Sequence, residues 1–149
     1  FSVRGTIIMS DDKRYVFRES DVPIFENPAK TMQDTVMVTE DTCGSMQNTA
    51  GLFWLAPYQM GGDGESHSGI DELFYVISGR GIFYLQGEPL RIQAGDVCFV
   101  PKDFHHRVEN DGEEVLKLFW ITHERWSKLP EIRNMFADWP VIDADSVWA

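Results

Sequence analysis

The chain has 149 residues, 43% of them apolar and 25% charged, with a formal net charge of −11 and an isoelectric point near 4.6. That size suits one domain with one real core, and that balance excludes a disordered or membrane-spanning class. So acidic a surface repels phosphate backbones and anionic bilayers, which argues against nucleic acid or a membrane as partner. An anionic small molecule stays admissible, because a bound cation dominates its own site.

Residues 1–10 do not read as a signal peptide: the apolar stretch is short, and neither a basic start nor a small-residue cleavage site is visible. Met9 stands as a candidate initiator. Cys43 and Cys98 lack metal-type spacing and are too few for a disulfide scaffold, which points to two reduced thiols in a cytoplasmic protein.

Short apolar runs broken by Gly, Pro, Asn and Asp predict an all-β sandwich or barrel. In chain order the expected strands are 15–18, 35–39, 50–58, 72–77, 81–86, 89–92, 96–100, 106–109 and 115–122. Turn signals such as Ser78-Gly79, Ala94-Gly95-Asp96 and Asn110-Asp111-Gly112 separate them. Beyond Thr122 the pattern changes. Trp126, Leu129, Ile132, Met135 and Phe136 recur at helical spacing, with Pro130 at the start and Pro140 at the end of the regular part. The last residues, including Val141, Ile142, Val147 and Trp148, are too apolar to float free and should pack on the barrel or on a second subunit. The whole is expected to be one domain over 1–149: an N-terminal strand region 1–33, a barrel core at about 34–122, and a C-terminal helix and tail 123–149.

The strand at 72–77 is apolar on both faces, with Glu72, Phe74 and Val76 on one side and Leu73, Tyr75 and Ile77 on the other. Its outer face should therefore be covered, by the N-terminal strands or by another chain, and a homodimer is expected.

Two spaced patterns carry the chemistry. In the first, Glu65 and His67 share one side of an extended segment, Glu72 opens the next strand facing inward, and Gly79 permits the following hairpin. In the second, Gly95 turns the chain, Pro101 stiffens the rim, His106 enters its strand facing inward and Asn110 supports the next turn. Both stretches resemble the paired motifs of the cupin superfamily. His67 matches the second histidine of the first motif, Glu72 its glutamate and Gly79 its closing glycine; Gly95, Pro101, His106 and Asn110 match the second motif. The resemblance spans residues 61–120. It implies a double-stranded β-helix, the jelly-roll barrel of that superfamily, here with a short C-terminal helix, and one divalent transition metal (Fe, Mn, Ni or Zn).

Three departures stand out. Glu65 replaces the usual first histidine, Gln59 stands where a leading glycine would be, and Asp103 replaces an internal glycine, where Asp tolerates a left-handed backbone. With Glu65, His67, Glu72 and His106 as ligands, a divalent ion would sit in a formally neutral site; otherwise Glu65 rides on a glycine loop and the remaining three form a two-histidine, one-carboxylate triad. A metal with open positions in an apolar pocket suits a small, oxygen-chelating organic substrate. Tyr84 or Glu65 would move a proton, and Phe74, Trp54 and Trp120 are the candidates to line the cavity. Non-oxidative lyase, isomerase or cyclase chemistry is favoured over an Fe(II) dioxygenase, with a non-catalytic binder or sensor as the other class. His105 should point outward, and His123, past the last strand, has no ligand partner in the sequence.

Overall fold

The computed structural model describes residues 15–66 and 69–148. Among them, two antiparallel sheets face each other. Strands β1 (Ile24–Glu26), β2 (Met32–Val38), β3 (Thr49–Leu55), β4 (Glu72–Ser78), β7 (Val97–Val100), β9 (Leu116–Thr122) and β10 (Val141–Ile142) form the larger, in the order β10-β1-β2-β3-β9-β4-β7. The smaller has the order β6-β5-β8, from β5 (Arg80–Leu85), β6 (Glu88–Gln93) and β8 (His106–Glu109). Isolated bridges Met60–Glu109 and Glu65–His106 lay the glycine-rich segment along β8 and extend this sheet. The fold is the expected all-β double-stranded helix.

Strand alternation fixes which side chains meet. Val76 and Leu118 from the larger sheet pack with Phe83, Ile92 and Val108 from the smaller in one core cluster between the sheets. Asn110, wholly buried, holds the β8–β9 connection: its amide donates to the Leu55 and Glu114 carbonyls, and its Oδ1 accepts from Gly112 N. At Gly79 the backbone has φ +86°, and a Cβ would stand 2.6 Å from the Val115 carbonyl oxygen, so the hairpin requires glycine there. Asp103 adopts φ +68°, the left-handed conformation that its place in the motif calls for.

The ends differ in part from expectation. Residues 15–18 form no strand; Tyr15 and Val16 lie exposed with no sheet partner among the described residues, and a short 3-10 turn follows at Glu19–Asp21. The short strands β1 and β10 pair with each other instead, Ile24 opposite Ile142 and Phe25 opposite Val141. A helical turn α1 (Glu40–Cys43) is set by a capping box in which Thr39 and Thr42 satisfy each other's backbone N–H. Helix α2 (Pro130–Met135) begins at Pro130, where a missing N–H costs nothing. It carries Leu129, Ile132 and Phe136 onto Phe25 and Val36. The tail folds back on the same chain, with Val147 and Trp148 against Ile24, Leu52 and Trp54.

Cys98 is buried, and burial pushes its thiol up to about 11, which makes it an inert core residue. On the outer side of the larger sheet, Leu73, Tyr75, Val97, Phe99 and Phe119 are exposed among the described residues. They are cross-strand neighbours, Leu73 opposite Phe99 and Tyr75 opposite both Val97 and Phe119, so they form one continuous apolar patch. Residues 1–14 lie outside the described residues. No helix among those described is long and apolar enough to cross a membrane.

Candidate metal and substrate site

A cavity of about 450 Å³ opens between the sheets, and Glu65, Glu72, Phe74, His106 and Trp120 all line it. Glu72 and His106 are 4% and 3% exposed, and His106 Nε2 lies 3.1 Å from Glu72 Oε2. Glu72 starts β4 on its inward face, and His106 starts β8 on the facing sheet. The rings of Phe74 and Phe83 lie 5.6 and 6.3 Å from the imidazole and hold it from the apolar side.

Glu65 is brought to the same place by the backbone. Its N–H donates to the His106 carbonyl at 2.8 Å, and His106 N–H donates back at 2.9 Å. Residues that exchange both bonds across an antiparallel pair project their side chains to the same face. Glu65 and His106 therefore share the cavity side. His67 lies outside the described residues. Among those described, no group of three or more His, Cys, Asp or Glu stands in a metal-holding cluster. The donors that do meet, one carboxylate and one imidazole with a second carboxylate bridged beside them, are of the type that first-row divalent metals accept.

Strand parity sorts the other expected residues. Phe74 and Trp120 are direct cross-strand partners on the inner face and line the cavity. Trp54 does not: it pairs with Lys117 on the opposite face, fully buried under the tail, with the Lys117 ammonium 5.2 Å from its ring centre. Tyr84 is likewise on the outside of the smaller sheet, because its neighbour Phe83 takes the inward position. Its hydroxyl donates to Glu109 at 2.6 Å, and that bond holds the phenol above its usual value; Tyr84 is not among the residues that line the cavity. His105 is exposed, as its parity requires. His123 is exposed, near Asn48.

One cavity residue escaped the sequence reading. Asp34, on β2, is 4% exposed and lines the cavity. Its Oδ1 accepts from Trp120 Nε1 at 3.1 Å. The indole reaches across β3 because Gly51 is its cross-strand partner: a Cβ there would come 2.9 Å from Trp120 Cζ2 and 1.8 Å from the Thr35 carbonyl oxygen. Burial raises the Asp34 carboxyl well above the usual 3.8, and the Glu65 and Glu72 charges push in the same direction against the Trp120 hydrogen bond. The signal that would have found it is a strand starting at Met32, which puts an aspartate on the inward face of an otherwise apolar row.

Comparison with known proteins agrees with this geometry. Residues 51–122 match the family described as Cupin domain. Together with the fold, this supports the membership of the cupin superfamily that the paired motifs imply. An oxalate-binding protein of Thermotoga maritima is 36% identical over 55 residues, 37% of this chain and 46% of that protein. An acireductone dioxygenase of Bacillus subtilis is 31% identical over 74 residues, 45% of this chain and 42% of that enzyme. The chain thus spans less than half the length of these curated relatives. A crystal structure of a predicted oxalate decarboxylase from Thermotoga maritima superposes with TM-score 0.63 at 24% identity, covering 73% of this chain and 98% of that one, which shows the shared fold.

The raised Asp34 carboxyl has a signed consequence. The unfolded chain ionises near 3.8 while the folded one holds its proton to higher pH, so the stability Asp34 contributes is intact below about pH 4 and is lost as pH rises through the folded value. Thermal melts of the metal-free protein should show Asp34→Asn gaining on wild type as pH rises from about 4 through the folded value; a pH-independent difference would contradict it.

Proposed function

We propose that the chain is a metal-dependent enzyme acting on a small organic molecule that chelates through oxygen atoms, with non-oxidative lyase, isomerase or cyclase chemistry. The observation that carries this reading is the Glu72–His106 pair, 3.1 Å apart and buried at the wall of a largely apolar cavity. A carboxylate and an imidazole buried together among phenylalanines are costly unless something further uses them. Glu65, His67, Glu72 and His106 would hold one divalent transition metal. When bound, that ion would act as a Lewis acid on the chelating oxygens. The chain's own part is to exclude water with Phe74 and Trp120, to orient the substrate against them, and to move a proton at the Glu65 carboxylate.

A second reading, an Fe(II)-dependent dioxygenase, draws support from the acireductone dioxygenase relative. A third, a non-catalytic binder, draws support from the oxalate-binding relative. Oxygen uptake that depends on Fe(II) and substrate selects the dioxygenase; tight binding with no turnover selects the binder.

Equilibrium dialysis against Mn(II), Fe(II) and Zn(II) should give one ion per chain, and Glu72→Gln should lower affinity on the order of a hundredfold while the barrel still melts cooperatively. Wild-type affinity in that variant would overturn the ligand assignment.

We further infer a homodimer built on the apolar patch, since Val97 and Phe99 at 65% and 52% exposure are poor surface residues for a lone subunit. Light scattering should give twice the mass expected from the 17.1 kDa chain, falling to the single-chain mass for Leu73→Glu/Phe99→Glu. A monomeric wild type would contradict this.

A further inference from the structure

Asp34 is the cavity residue with no place in the metal-centred reading. A carboxyl group in the middle of a sheet, among Met32, Phe53 and Trp120, is an expensive choice where an apolar residue would pack. Gly51 across the strand leaves the gap through which the Trp120 indole reaches it, so two positions besides Asp34 are committed to holding this one group. A carboxyl has more hydrogen-bonding capacity than the Trp120 and Thr35 N–H groups use.

The surroundings restrict what could meet it. Glu65 and Glu72 line the same cavity and act on Asp34 electrostatically. Among the described lining residues Arg107 carries the only cationic side chain, and its guanidinium lies over the outward Tyr84 ring, 5.1 Å from its centre. An anionic substrate group beside Asp34 would meet carboxylates and no inward cation. An apolar group would leave a buried carboxyl without the partner it can take. An uncharged oxygen group satisfies both conditions.

We propose that Asp34, carried on Trp120, is the specificity-determining contact of this cavity, hydrogen-bonding an uncharged hydroxyl or carbonyl at the end of the substrate remote from its chelating oxygens. This rests on the reading that the substrate chelates a metal at Glu65, Glu72 and His106. It narrows the substrate class to compact molecules with a chelating head and a neutral, oxygenated tail.

The test uses three probes with one chelating head and different tails: α-ketovalerate (methyl), its δ-hydroxy derivative, and α-ketoglutarate (carboxylate). Their affinities for the Mn(II)-loaded full chain are measured by calorimetry, with metal content followed in parallel. Wild type should bind the hydroxy tail about tenfold tighter than the methyl tail, with the carboxylate tail weakest. Asp34→Leu should erase the hydroxy-over-methyl preference while metal content and methyl-tail affinity hold. Asp34→Asn, which keeps an acceptor for Trp120 and can still pair with a hydroxyl, should retain most of it. If the leucine variant does not fold, Trp120→Phe takes its place, with the preference cut about threefold. Equal binding of all tails by wild type, or an unchanged tail ratio in Asp34→Leu or Trp120→Phe, overturns the role of Asp34 and leaves the metal reading intact. Failure of every probe to bind a metal-loaded chain overturns the chelation reading, and this proposal with it.

Discussion

The reciprocal pair of backbone hydrogen bonds between Glu65 and His106 is the constraint on which the site depends. The segment before Glu65 holds three glycines in four residues and has little conformational preference of its own. The bridge fixes its far end to the first residue of β8. Once fixed, parity leaves no choice: the Glu65 side chain projects where the His106 imidazole does. Register then brings Glu72 in from the opposite sheet. Glu65, Glu72 and His106 reach one cavity wall because the backbone ladders, not the side chains, bring them there.

A cavity lined by Asp34, Glu65 and Glu72 cannot leave all three as bare buried carboxylates. The chain answers differently at each. Glu72 is paired with His106. Asp34 is buried beside Trp120 with its proton held to higher pH. Glu65 sits half-buried at the glycine-rich rim. Helix α2 contributes from outside: Ile132 and Met135 reach the cavity while Phe136 anchors the helix on Phe25.

Much of this was legible before any coordinates. The paired motifs located β4 and β8 and the inward parity of Glu72, Phe74 and His106, because side-chain alternation follows directly once a strand's first residue is known. Asp103 and Asn110 do in the turns what their side-chain chemistry suggests. The differences have separate sources. Starting β2 at Thr35 rather than Met32 left Asp34 outside the strand, and so outside the cavity. Trp54 and Tyr84 have suitable aromatic chemistry, but their immediate neighbours Phe53 and Phe83 hold the inward positions. The three-residue β1 and two-residue β10 carry no periodicity to read; their pairing exists only because the tail returns to the sheet.

The central claim is that two imidazoles and carboxylates from both sheets would meet on one metal ion. Electron spin-echo envelope modulation of the Cu(II)-loaded chain tests it most directly, because it detects the remote nitrogen of each coordinated imidazole. The account predicts modulation from two imidazoles, His67 and His106, reduced to one in His106→Asn. A spectrum without imidazole modulation, or one unchanged in that variant, would contradict it.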